Sequence, residues 1–142
     1  MSYPPPPLVV RLLPSRFRSQ AASAEHANAV KNDFLHFLLS AAADGKTVAG
    51  YGAAAKGNTL LNFAGVGRDL INFVVDRNPA KQGKFLPGSR IPIVNETVLA
   101  DLRPDYIVIL PWNLKAEMLE QLAYTQSWGA KFVNAVPRLE IT

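Results

Sequence analysis

At 142 residues the chain has room for one domain with a sizeable core, and its 49% hydrophobic against 18% charged residues makes most of it globular. The net charge of +4 is a mild excess that suits anionic ligands, but no Lys/Arg run is interleaved with aromatics, which argues against nucleic acid. The absence of cysteine excludes disulfides, thiol catalysis and cysteine-ligated zinc; no apolar run has the length of a membrane span and no signal-type segment opens the chain, so the expected setting is cytoplasmic.

Residues 1–22 differ in composition from the rest. Pro4 to Pro7 favour an extended polyproline conformation, Pro14 follows, and the bland reading is a proline-rich linker or tail. Val9, Val10, Leu12 and Leu13 have the composition of a short edge strand or a docking segment, while Arg11, Arg16 and Arg18 read as a solvated basic face. A domain then occupies residues 23–142. Its first helix is expected from about Glu25 to Ala43, capped by Ser23, with Val30, Phe34, Phe37, Leu38 and Ala41 on one apolar face and Asp44-Gly45 as its stop. His26 and His36 belong to no carboxylate cluster and read as helix-surface residues rather than metal ligands or bases.

The apolar run Thr47 to Ala49 then enters a turn of small residues, and Gly50, Gly52 and Ala55 match G-x-G-x-x-A. In a strand–turn–helix context the first Gly permits a sharp turn, the second lets a ligand approach the backbone, and the small third residue lets helix and strand pack closely. The following helix start presents free N–H groups and a partial positive charge. Lys56 opposes the helix dipole there, which a bound anion would offset. The competing reading is a close-packed turn that binds nothing.

Leu70 to Val75 reads as a fully buried strand of a parallel sheet, ending at Asp76. Asp76 follows Gly50 by 26 positions, somewhat beyond the ~20 usual for a ribose-binding acid. It either accepts from a sugar hydroxyl or caps the Arg77-Asn78-Pro79 turn. Residues 77–95 form a long connection carrying Arg77, Lys81, Lys84 and Arg90 with no acid among them, placed to engage phosphates or simply solvated. A short helix from Asn95-Glu96 to about Leu102 and a buried strand Tyr106 to Leu110 come next. Asn113 is expected to cap a helix from Leu114 to about Ser127, with Leu114, Met118 and Leu122 facing the core. Trp112 stands at the sheet edge, where it stacks on a base or sugar or packs on the neighbouring helix. Lys131 to Val136 forms the last strand.

This alternation predicts an α/β, three-layer, Rossmann-like domain: a mostly parallel sheet of about 4–5 strands with helices on both faces. Three strand ends, at Gly50-Tyr51-Gly52, Asp76-Arg77-Asn78 and Pro111-Trp112-Asn113, converge where open sheets bind ligands. No paired carboxylates, Ser/His/Asp set or metal cluster is legible, so the residues suggest binding of an anionic, hydroxyl-bearing ligand without chemistry of their own.

Gly50 to Asn62, Val75 to Gly88, Ile91-Pro92-Ile93 and Leu110 to Leu114 together resemble the C-terminal domain of bacterial sugar C-methyltransferases, over about residues 25–142. Family members carry an N-terminal zinc-binding segment, a middle S-adenosylmethionine-binding domain, and this Rossmann-like domain. They methylate a carbon of a keto-sugar on a nucleoside diphosphate through an enolate. The resemblance implies that the domain holds the nucleotide-sugar against the catalytic domain, in cis or in trans. S-adenosylmethionine belongs to that other domain, and no cofactor is expected in this chain. The family's zinc cysteines have no counterpart here, and its catalytic tyrosine, histidine and glutamate lie in the middle domain, so no catalytic residue carries over and no methyl transfer is expected from this chain alone. The expected ligand-binding residues are Tyr51, Gly52, Lys56, Gly57, Asn58, Thr59, Asp76, Arg77, Lys84, Trp112 and Asn113. The alternatives are an independent nucleotide- or dinucleotide-binding module and a protein-interaction domain using the basic loop and proline-rich tail.

Overall fold

The computed structural model describes the backbone of residues 15–142 and the side chains from residue 24 onward. The expectations for Pro4 to Pro14, including an edge strand at Val9 to Leu13, lie outside the described residues.

Helix α1 (Ser15–Ala43) precedes β1 (Val48–Tyr51), α2 (Ala55–Ala64), β2 (Val74–Val75), β3 (Ile93–Val94), α3 (Thr97–Leu102), β4 (Tyr106–Ile109), α4 (Lys115–Gln121), β5 (Lys131–Asn134) and β6 (Glu140–Ile141). The sheet order is β3-β2-β1-β4-β5-β6. All pairings are parallel except β5 with the edge strand β6. The expected α/β architecture is therefore present. Chain order reverses between β1 and β4, and such a reversal opens a crevice at the carboxyl ends of the strands.

The layers follow from period-two alternation. Val48, Val74, Val108, Leu110 and Val133 face α1 and α2, where Phe34, Leu38 and Leu61 complete one core cluster. Ala49, Val75, Ile107, Ile109 and Phe132 face the other way, onto Leu99 of α3 and Leu122 beyond α4. Both faces are covered, which explains why the central strands read as continuous apolar runs.

Several boundaries differ from expectation. Helix α1 begins at Ser15 rather than near Glu25, so Ser23 lies inside it and does not start it. Of the run Leu70 to Val75 only Val74 and Val75 are strand; residues 68–70 are turn, with the Leu70 and Ile71 N–H groups both donating to the Gly67 carbonyl. The connection 77–95 is not structureless. It contains β3, and Phe85 pairs with Pro92 across a hairpin. The expected helix Leu114 to Ser127 is interrupted: 3₁₀ turns at Trp112–Leu114 and Ala123–Trp128 flank the seven-residue α4. Asn113 makes no cap, and Leu114 is 41% exposed rather than in the core. The strand expected from Lys131 to Val136 stops at Asn134, as β5, and β6 follows it.

Candidate functional site

The turn after β1 is built by close approach of two strand ends and a helix. Gly52 has φ +85°, and a Cβ there would lie 2.7 Å from Pro111 Cδ, so both the backbone conformation and the contact with the end of β4 require glycine. A Cβ on Gly57, in the first turn of α2, would lie 2.6 Å from Leu110 Cβ and 3.1 Å from Leu110 O. The residue that lets helix and sheet close together is thus Gly57, not Ala55 of the fingerprint, which is exposed.

Asp76 ties this turn to the end of β2. Its Oδ2 accepts the Ala53 N–H at 2.8 Å and its Oδ1 the Asn78 N–H at 2.8 Å. Lys81 closes the loop: its Nζ donates to Ala53 O at 3.1 Å and stands 3.9 Å from Asp76 Oδ2. Gln82 Nε2 donates to the Asp76 carbonyl at 2.8 Å. Of the two roles open to Asp76, the turn-capping one is present, and both carboxylate oxygens are engaged in it.

Helix α2 starts without a side-chain cap, since Ala54 offers none; the first N–H bonded into the helix is that of Asn58, to Ala54 O at 2.9 Å. The N–H groups of Ala55, Lys56 and Gly57 are consequently the orphan donors of the helix end. Lys56 is exposed beside them. Asn58 Oδ1 is buried with no hydrogen-bond partner, and such a group asks for a donor. The Thr59 hydroxyl donates to Ala55 O at 3.0 Å within the helix.

The expected residues do not share one cleft. Tyr51, Gly52, Asp76 and Arg77 line a cleft of about 210 Å³ with Pro111 and Gln121. Lys56, Thr59 and Trp112 line another, of about 310 Å³, between α1 and α2, with Val30, Phe63 and Val136 as apolar walls. His26 and His36 are both exposed on α1, and His26 borders this second cleft. Lys84 borders neither cleft; its carbonyl accepts the Ile93 N–H at the base of the 84–93 hairpin, and its own N–H donates to Lys81 O at 3.3 Å. Asn113 is exposed in its 3₁₀ turn.

Sequence reasoning missed Glu96. The Tyr51 hydroxyl donates to Glu96 Oε1 at 2.8 Å, and Arg77 grips both carboxylate oxygens at 2.9 and 3.1 Å. Burial first, and then the hydrogen bond to Glu96, push the Tyr51 phenol well above the usual tyrosine range. The Glu96 bond likewise raises Arg77. Arg77, Gln82, Asn95, Glu96 and Tyr124 line an adjoining polar cleft of about 400 Å³. The only sequence signal for Glu96 was its place at a helix start, which says nothing of a partner 45 positions away. Among the described residues no group of three or more His, Asp and Glu could hold a metal ion, and no helix is long and apolar enough to cross a membrane.

The family described as "C-methyltransferase C-terminal domain" matches residues 15–137. The chain is also similar to "C-methyltransferase NovU" of Streptomyces niveus, at 41% identity over 108 residues, which is 76% of this chain and 26% of that protein. The chain thus spans about a quarter of the length of that relative.

Proposed function

This chain belongs to the C-methyltransferase C-terminal domain family, and from that premise we propose that it is the domain that holds a nucleoside-diphosphate sugar in an S-adenosylmethionine-dependent sugar C-methyltransferase. The observation that carries the reading is the uncapped start of α2, three orphan N–H donors beside the exposed Lys56 at the strand-order reversal. A diphosphate satisfies those donors and offsets the unfavourable position of Lys56 in the helix dipole. A sugar hydroxyl is the donor that the buried Asn58 Oδ1 lacks. Trp112, on the wall shared with Lys56 and Thr59, offers a flat apolar surface to the sugar or base.

In this reading Asp76 shapes the turn and does not grip a ribose, because both its oxygens already accept backbone N–H groups. That engagement also favours the sugar-nucleotide reading over an independent dinucleotide module, whose fingerprint acid faces the ribose. Methyl transfer and S-adenosylmethionine we assign to a separate catalytic domain, in the same polypeptide or in trans, working in the cytoplasm.

The test is an amide-shift titration of the isotopically labelled chain with thymidine diphosphate and a thymidine-diphospho-sugar, with NAD and S-adenosylmethionine as controls. Saturable shifts for the first two, mapping to residues 50–59 and 111–113, support the assignment. Silence with both, or tighter binding of NAD, overturns it.

A further inference from the structure

The hairpin between β2 and β3 builds a cleft that the proposed function does not use. Arg68 precedes β2 and the hairpin precedes β3, so this cleft sits by the amino ends of those strands, away from the glycine turn. Its volume is about 650 Å³, and Arg68, Phe85, Leu86, Pro87, Gly88 and Arg90 line it.

The walls are preformed. The Leu86 N–H donates to Ile91 O at 2.9 Å and the Arg90 N–H to Leu86 O at 3.0 Å. Asn62 Nδ2 straps the hairpin tip to α2 through Pro87 O at 3.0 Å. Leu86 and Ile91 are anchored in the core, at 3% and 0% exposure, while Phe85 is 58% exposed. The apolar residues of the hairpin thus divide into those that hold it, Leu86 and Ile91, and those that are exposed, Phe85 and Pro87.

Charge and strain complete the picture. The ion pairs among the described residues are Arg77–Glu96, Lys81–Asp76, Lys115–Glu140 and Arg138–Glu140. Neither Arg68 nor Arg90 belongs to any of them, so two guanidinium groups border one cleft without a carboxylate. Arg90 also has φ +60°, a left-handed conformation that costs an arginine free energy and a glycine almost none. Strain of this kind concentrates where a side chain has a task.

From these features we infer that the cleft binds a small organic anion in which a phosphate or carboxylate is joined to a flat apolar body. Arg68 and Arg90 take the anion, for which planar guanidinium is suited, and Phe85 with Pro87 covers the apolar part. The site is independent of the nucleotide-sugar reading, because this cleft shares no residue with either of the two that hold the residues of that reading.

The test uses the full chain and three probes: phenyl phosphate, inorganic phosphate and phenol. Phenyl phosphate is expected to give saturable amide shifts at Arg68 and Phe85 to Arg90, with an affinity at least about tenfold above that of inorganic phosphate. Phenol is expected not to saturate. Arg90→Gly is the decisive variant, since it relaxes the backbone: its thermal midpoint stays level or rises while phenyl phosphate binding falls about tenfold. Arg68→Ala lowers binding similarly. Equal affinities for the two phosphates, no saturation with phenyl phosphate, or unchanged binding by Arg90→Gly overturns the proposal.

Discussion

Asp76 Oδ2 accepts the backbone N–H of Ala53 at 2.8 Å, so the end of β2 holds the glycine turn that follows β1. The same carboxylate bonds Asn78 N–H, and Lys81 reaches across to Ala53 O. The turn is therefore shaped by a loop that lies more than twenty positions away. Its geometry is set before any ligand arrives, the condition under which backbone donors bind an anion well.

Removing that carboxylate tests how much of the turn depends on it. Asp76→Ala leaves the part-buried Ala53 N–H and the exposed Asn78 N–H without their acceptor. The expected loss is about 1–3 kcal/mol of stability, read as a lower midpoint in urea denaturation. An unchanged midpoint would show that water replaces the carboxylate at no cost.

Gly57→Ala sets helix propensity against packing. Alanine gains about 1 kcal/mol in a helix interior. The added methyl, however, meets Leu110 Cβ, Cα and O rather than the mobile tip of a side chain. Overpacking of this kind costs about 1–3 kcal/mol, so α2 must shift from β4 and the net effect is destabilising. A stabilised Gly57→Ala variant in thermal denaturation would refute the close-approach role.

Lys56→Ala separates binding from folding. The side chain is exposed and has no ion pair among the described residues. Its loss relieves an unfavourable charge at a helix start, so stability holds level or rises by a few tenths of a kcal/mol. The dissociation constant for thymidine diphosphate is expected to rise about five- to tenfold. Calorimetric titration beside a melting curve reads both, and an unaltered constant would remove Lys56 from the site.

The Tyr51–Glu96 contact predicts an alkaline limit to stability. The native phenol keeps its proton because burial, and then Glu96, disfavour the phenolate, whereas the unfolded chain releases it near pH 10. Above that pH the unfolded state binds fewer protons than the native one, so stability falls as pH rises; below it the contribution is fully present. The midpoint of the wild type should therefore drop more steeply above about pH 10 than that of Tyr51→Phe. Parallel slopes for the two proteins would argue against it.

The central elements were legible because long apolar runs and an intact strand–turn–helix signature carry their own pattern. β1, β4 and β5 fall within a few residues of expectation, and the three converging strand ends lie at the carboxyl edge of one sheet. The two-residue strands β3 and β6 were not legible. Two residues cannot display a period, and these strands exist because β2 and β5 offer them backbone partners. Leu114 met the periodicity of a core residue yet is exposed, because it lies in the 3₁₀ turn ahead of α4, whereas Met118 and Leu122 reach the core as expected.

By itself, the sequence determined the layered α/β class, the mostly parallel character of its sheet, and a helix start with free donors after a glycine turn. All three follow from local periodicity and from the conformational freedom of glycine. Only the tertiary structure decided that Gly57 rather than Ala55 is the point of closest approach, that Asp76 serves the turn, and that Glu96 joins Tyr51 to Arg77. It also divided the expected site residues between clefts and left Arg68 and Arg90 together without an acid. Each of these rests on contacts between residues distant in the chain, and side-chain reach across a fold leaves no period or spacing for a sequence to display.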